Sequence, residues 1–378
     1  MNKRIGAGIC GLSLVLALGA CGGETESAAP PMTVATKPPP VATTPPPEPT
    51  STATTEAMTP PKPTMEEMQK KRMMDFNAAL NAHDAKAMAA GFAVDGVTAS
   101  LGPTGWMETK GREEIEKHYA EDFVGYPDAK LTFVRVFPKG KTVVSQWVWT
   151  ATNKGEVMGE KPSDKPVGIN GATITWFNDD GLVTKEHIYY DVGTILAQEG
   201  RIKNKVRPIP TGMPDKPDVI KVADDKNVAV LNANYDAFNK HDPKAFGATI
   251  TDDSVHVDYT SAEDVKGKAA NEKEMEGYFK AFPDIKETTD NTWGFGDWVL
   301  VESTVSGTMK GALGPLKPTK KFASAVHLLE IDQMKDGKIA KTETYWSSME
   351  FMGQFDLLPK PKPEKTTAKP PAPPPAKK

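Results

Sequence analysis

The chain has 378 residues, a formal net charge of −4, 25% charged residues and 38% apolar ones, which leaves room for two domains of ordinary size. Six lysines stand against a single glutamate in residues 360–378, so the rest is more acidic than the whole. That balance argues against nucleic-acid binding by the folded part.

In chain order, Lys3 and Arg4 precede an apolar run from Ile5 to Ala20. At ~1.5 Å per residue the run spans roughly 24 Å, short of the ~30 Å of a hydrocarbon core. Positive charge, a short apolar stretch and small residues at its end read as a secretory signal over 1–20. Leu18-Gly19-Ala20-Cys21 resembles a bacterial lipobox. The resemblance implies cleavage before Cys21 and acylation of Cys21, which makes membrane lipid a partner; the alternative is an ordinary signal with Cys21 incidental. Gly22 stands where a retention signal carries aspartate, so the same resemblance implies a lipoprotein outside the cytoplasm, on the outer membrane. The other cysteine, Cys10, leaves with the signal, so the lipidated chain has no thiol for a disulfide, a thiolate or a metal.

Residues 21–63 are almost wholly Pro, Thr, Ala, Gly, Ser and Glu, a composition that does not bury enough apolar surface to offset its ordering entropy. They read as a tether; stiffened by proline, the segment reaches on the order of 130 Å. Residues 359–378 read as a second disordered segment. Its lysines are expected to add solubility or to touch an anionic envelope polymer or lipid surface.

Between them lies a repeat. Asn81, His83, Asp84 and Lys86 recur as Asn239, His241, Asp242 and Lys244, and Pro127-Asp128 and Lys154-Gly155 recur as Pro283-Asp284 and Lys310-Gly311. Copy one runs over 64–200, copy two over 225–358, and 201–224 connects them. Each copy reads as a helix (Met73, Phe76 and Leu80 on one face; Leu231, Tyr235 and Phe238 in copy two), then a short helix capped by Asp84 or Asp242 with Pro243 at a first helical position. A third helix carries Ile115, Tyr119 and Phe123, matched by Met275, Tyr278, Phe279 and Phe282, and ends at Pro127 or Pro283. Four strands follow, at 131–137, 142–152, 172–178 and 182–190 in copy one. The fold class is α+β: two domains, each with three N-terminal helices followed by an antiparallel sheet.

Copy two's Gly307-Thr-Met-Lys-Gly311 and Gly314-Pro-Leu-Lys-Pro318-Thr319 are similar to the Gly-Thr-His-x-Gly…Gly-x-x-Pro-Thr-Gly stretch of SnoaL-like, ester-cyclase-like proteins of the nuclear-transport-factor-2-like superfamily. Leu196-Ala-Gln198 and Phe351-Met-Gly-Gln354 resemble the family's closing segment. The resemblance implies a cone with an apolar pocket and, in the cyclases, an aspartate that moves a proton without metal or cofactor. It also implies pairing through the open sheet face, here as an intrachain pseudo-dimer.

On the strand at 182–190, His187, Tyr189 and Asp191 share one face. His187 and Asp191 are about 13 Å apart there, too far for a dyad. They are the candidate catalytic residues, with alternatives as a half-exposed strand histidine and a strand-end cap. Tyr119, Phe123, Trp149, Trp176 and Tyr189 in copy one, and Tyr278, Phe279, Tyr345 and Trp346 in copy two, are the candidate binding residues. Trp147, Trp149 and Trp176 read also as core. His83 and His241 read as structural beside their caps, and His118, among Glu114, Glu116 and Glu121, as part of a solvated face. At the repeat offset Glu343, Tyr345 and Ser347 replace His187, Tyr189 and Asp191, so copy two lacks that set; its own polar residues are His256, Asp258, Glu302, His327 and Glu330.

Two functions are expected from this: an envelope module whose cones bind a small apolar ligand or a partner, or a cofactor-free acid–base enzyme (cyclase, isomerase or hydrolase) with its site in copy one.

Overall fold

The first helix, α1 (Met65–Asn81), turns Leu80 inward and ends where His83 takes a φ of +57°, with His241 at +54° in copy two. Both histidines donate from Nε2 to a carbonyl, Ala129 O and Ile285 O, each at 2.9 Å, so their role is structural. Asp84 then caps α2 (Ala85–Ala89) by accepting from Ala87 N. The described residues in the computed structural model are 62–157, 159–222 and 224–358. The signal, Cys21, the tether and the lysine-rich segment fall outside them.

Two strands come next, β1 (Phe92–Gly102) and β2 (Gly105–Lys110), followed by α3 (Arg112–Gly125). Copy one continues with β3 (Lys130–Lys139), β4 (Thr142–Thr152), β5 (Pro166–Phe177), β6 (Val183–Tyr189) and α4 (Val192–Gln198). The connector forms β7 (Asp218–Val219). Copy two repeats the plan: α5 (Val228–Asn239), α6 (Pro243–Ala248), β8 (Ile250–Asp258), β9 (Val265–Lys266), α7 (Lys268–Ala281), β10 (Lys286–Gly294), β11 (Trp298–Thr308), β12 (Phe322–Lys335), β13 (Lys338–Trp346) and α8 (Ser348–Gln354). The third helix of each copy starts at a glycine, Gly111 at φ +86° and Gly267 at +84°, a region that side-chain-bearing residues rarely adopt.

The sheet orders are β2-β1-β6-β5-β4-β3-β7 and β10-β11-β12-β13-β8-β9. Both copies are thus α+β with helices against a curved sheet. The four strands expected after the helices pair antiparallel. β1 and β2, which the sequence reading left unassigned, add a parallel pairing of β1 with β6, as β8 pairs with β13. The connector is more than a spacer, since β7 pairs with the outer edge of β3 and so covers an exposed row of backbone groups.

Residues 65–358 lie in one compact unit. Each sheet buries one face in its own cone and packs the other against the sheet of the other copy. Leu101, Phe137, Val144, Ala172, Ile174 and Tyr189 meet Phe295, Leu300, Leu329, Ile331 and Tyr345 there in one apolar cluster. His118 is 1% exposed rather than part of a solvated face, because it stands three residues after the buried Ile115 on the inner stripe of α3.

Candidate active site

The two cones are filled differently, and one pair of side chains contributes to it. Thr152 N bonds Asp128 Oδ1 at 2.7 Å and Thr308 N bonds Asp284 Oδ1 at 2.9 Å, which fixes the equivalence of β4 and β11. By that equivalence Trp147 and Ser303 occupy the same inward position. Trp147 lies opposite Gly171, and a Cβ on Gly171 would stand 2.2 Å from its ring; its Nε1 donates to Thr173 Oγ1 at 2.9 Å. Ser303 lies opposite Leu328 and fills far less space. In copy one a gap of about 10 Å³ remains beside Tyr119, Phe123 and Trp149, while copy two encloses about 750 Å³. The second volume suits a small organic molecule; the first holds about one water.

The cavity is walled by apolar residues such as Phe238, Met275, Phe282, Val326 and Phe355, and Ile202, Lys203 and Asn204 of the connector also line it. On its sheet wall stand Glu287 from β10 and Glu330 and Asp332 from β12. Glu330 Oε2 accepts from Tyr235 OH at 2.7 Å, and Oε1 from Thr344 Oγ1 at 3.3 Å. His256 Nε2 lies 3.1 Å from that Thr344 hydroxyl, and its Nδ1 lies 2.9 Å from Glu274 Oε2. Burial works against a charged imidazole there, but the bond and charge of Glu274 outweigh it and hold the His256 pKa up at about 9. His256 is therefore protonated at neutral pH, donates from both nitrogens, and turns the Thr344 hydroxyl toward Glu330.

Burial pushes the Asp332 carboxyl well above the usual range, and the neighbouring Glu330 charge adds to this. Glu287 is raised for the same two reasons, burial first. Of the three, Glu330 is the one held by two hydroxyl donors, Tyr235 and Thr344. Asp258 is already satisfied, by Trp346 Nε1 at 2.9 Å and Thr260 N at 2.8 Å. Among the described residues no group of three or more His, Cys, Asp or Glu is arranged to hold a metal ion.

The structure moves the site away from the residues singled out in copy one. His187 does not face a cavity. Its Nδ1 donates to Glu302 Oε1 at 2.5 Å across the junction between the sheets, and its ring stacks on Trp106 at 4.1 Å. Tyr189 OH donates to the same oxygen at 2.8 Å. Asp191 is a helix cap and a tie between the copies: it accepts from Thr194 N at 2.8 Å and from Ser348 N at 3.0 Å. With its lone pairs occupied it is no free base. Trp176 packs edge-on to His187 at 5.0 Å. The related residues of copy two also meet at the junction, where Gln146 Nε2 donates to Glu343 Oε2 at 3.1 Å and to Tyr345 OH at 2.7 Å.

Of the aromatic candidates, Tyr278 and Trp346 line the cavity. Tyr119 and Trp149 are core of copy one. Phe123 packs on His83 at 5.0 Å and Phe279 stacks on His241 at 4.8 Å. Of copy two's polar residues, His256, Asp258 and Glu330 line the cavity, Glu302 belongs to the junction, and His327 is tied to Glu350 at 2.7 Å. Glu287 and Asp332 carry no mark in the sequence, and Tyr235 reads there only as part of an apolar helix face. The available signal was alternation on β12, where Leu328, Glu330 and Asp332 share one face.

The SnoaL-like polyketide cyclase family model matches the chain twice, over residues 71–199 and 228–355. No curated protein sequence matches it. Among solved structures it is similar to a protein of Jannaschia sp. CCS1 provisionally named a SnoaL-like polyketide cyclase, with 16% identity, 36% of this chain and 96% of that one covered, and a TM-score of 0.34. AclR of Streptomyces galilaeus, provisionally named a hydroxylase, is 22% identical over 37% of this chain and 100% of its own, with a TM-score of 0.33. IdmH of Streptomyces antibioticus, provisionally named a polyketide cyclase, is 23% identical over 35% and 98%, with a TM-score of 0.31. Matched by one family model over both of its cones, the chain belongs to the SnoaL-like polyketide cyclase family.

Proposed function

We propose that copy two is the working half of a cofactor-free acid–base enzyme and that copy one is its fixed structural partner. One observation carries this: the open cone, of about 750 Å³, is the one with a carboxyl cluster on its wall, and the other cone is packed shut. Glu330 is the base. It takes a proton from a carbon made acidic by a neighbouring carbonyl or similar group on a small, mostly apolar molecule. Tyr235 and Thr344 hold it in place, and the cationic His256 behind Thr344 keeps the charge from spreading into apolar surroundings. A carboxylate held within reach of a bound molecule's acidic C–H acts as a general base through its position.

The test uses 5-nitrobenzisoxazole, an apolar probe that opens to a coloured phenolate when a base removes its ring C–H proton. The full chain is expected to turn it over with saturation. Glu330→Gln is expected to lower the rate by roughly tenfold, less than the ~10²–10⁴ a base contributes on a substrate it was shaped for. A rate unchanged by that substitution, or no faster than acetate at equal concentration, would remove Glu330 from the role.

Where this activity acts is a second part of the same proposal. The chain is exported and held outside the cytoplasm by acyl groups on Cys21, and the support is the run from Lys3 to Cys21 and the proline-rich stretch after it. Cys21→Ser is expected to leave precursor or to release the protein from membranes on fractionation. Efficient processing with unchanged membrane partition would refute the anchor. The same export places the lysine-rich segment 360–378 beside anionic envelope surfaces.

A further inference from the structure

The mechanism above uses Glu330 and leaves two buried carboxyls beside it without a task. Asp332 is 1% exposed. Its Oδ1 accepts from Thr342 Oγ1 at 2.5 Å, while its Oδ2 is buried and has no hydrogen-bond partner. Glu287, on the neighbouring wall, accepts from Ser303 Oγ at 2.6 Å. The basic side chains that line the cavity, among the described residues, are His256, already paired with Glu274, and Lys203 on the connector. A buried oxygen with no donor costs about 1–3 kcal/mol, and a fold retains such a group at small cost only if something else satisfies it.

We propose that the ligand of this cavity is a small apolar amine, whose ammonium group sits against Asp332 and Glu287 while its hydrocarbon part lies among Phe238, Met275 and Phe282. This inference rests on the reading of the copy-two cavity as the ligand site. An ammonium has several N–H donors, enough for the free Oδ2 and for Glu287 together, and it has no lone pair to clash with them. It also supplies a counter-charge directly at the sheet wall, where β10 and β12 bring acids and, among the described residues, no basic side chain to the cavity; Lys203 lies on the connector. In the empty cone that counter-charge is a proton, held because burial and the Glu330 charge disfavour a second carboxylate. An ammonium takes the place of that proton, so binding releases it to solvent. A neutral alcohol of the same shape fits the hydrocarbon space and donates one bond, but it displaces no proton. An anionic isostere meets like charge.

The experiment is calorimetric titration of the full chain with 1-adamantanamine, 1-adamantanol and 1-adamantanecarboxylate, rigid probes of one shape. The amine is expected to bind at least about tenfold more tightly than the alcohol near pH 8, by roughly 1.4 kcal/mol or more. Its apparent heat should change with the ionisation heat of the buffer, the mark of a released proton, and its advantage should shrink toward pH 5 as the carboxyls keep their protons. Asp332→Asn is expected to lower amine affinity about tenfold and leave the alcohol unchanged. The wild-type comparison stands even if that variant folds poorly. Alcohol binding as tight as amine binding, or amine binding with no proton released, overturns the amine inference and leaves the cavity as a ligand site. No binding of any of the three overturns both.

Discussion

Glu302→Ala is expected to destabilise the protein by about 3–5 kcal/mol, because it leaves the His187 and Tyr189 donors buried and unsatisfied at ~1–3 kcal/mol each. Glu302 is 4% exposed in β11 and receives three donors: His187 at 2.5 Å, Tyr189 at 2.8 Å and Asn291 at 2.7 Å. Burial alone would raise its pKa, but the bonds from His187, Tyr189 and Asn291 outweigh this and hold it below the ordinary carboxylate value, so it is ionised at neutral pH. Alanine leaves the His187 and Tyr189 donors facing apolar surroundings in the middle of the junction between the copies. Thermal unfolding should show a midpoint lower by roughly 10 °C. Glu302→Gln keeps the shape and one acceptor oxygen and should cost less than half as much. The exposed pair Lys71–Asp75, at 2.6 Å, is the comparison: Asp75→Ala is expected to change stability by no more than ~0.5 kcal/mol. If Glu302→Ala behaves like Asp75→Ala, the junction does not hold the copies together in solution.

His118 is expected to make the protein acid-labile by about 3 kcal/mol. It is 1% exposed on α3, both ring nitrogens are without hydrogen-bond partners, and the Asp122 carboxylate lies 3.8 Å from Nε2. Burial lowers its pKa from 6.5 to about 4, against a smaller opposing effect of the Glu121 charge. The folded state therefore binds the proton less well than the unfolded state. Stability is complete above pH 6.5 and is lost as the pH falls from 6.5 toward 4, after which the loss is constant. At about 1.4 kcal/mol for each tenfold difference in proton affinity, the loss totals about 3 kcal/mol. Carboxyls with raised pKa, such as Glu186 at about 7, contribute in the opposite direction, so the measurement must be differential. Urea unfolding of wild type and His118→Leu at both ends of that window isolates the histidine. The variant should lose about 3 kcal/mol less than wild type on acidification. Equal losses would place the acid sensitivity elsewhere.

The duplication was legible because it is written twice. Asn81-x-His83-Asp84 and Asn239-x-His241-Asp242 serve the same short-range geometry, a left-handed histidine followed by a capping aspartate, and local geometry of that kind depends on few neighbours. The third helices and the late strands followed from periodicity, and β12 shows where periodicity stops informing. Leu329 and Ile331 alternate with Glu330 and Asp332, which from sequence reads as an apolar core face and a polar solvent face. In the protein both faces are buried: the leucine and isoleucine meet the other sheet, and the two acids line the cavity. The same ambiguity set His187 and Tyr189 of β6 in the wrong place, since the face they share is covered by copy two and not by copy one's own helices.

Which cone is open was decided by tertiary structure alone. Trp147 and Ser303 are each ordinary strand residues, and only their position opposite Gly171 and Leu328, between a sheet and three helices, turns one into a plug and the other into space. The sequence determined by itself that there are two α+β domains, where their second helices are capped and where their four late strands run, because those depend on neighbours within a turn or a hairpin. The tertiary structure decided which faces meet, which cone stays hollow and which carboxyls share it, because burial, and with it the proton affinity of Glu287 and Asp332, is set by groups brought together from distant parts of the chain.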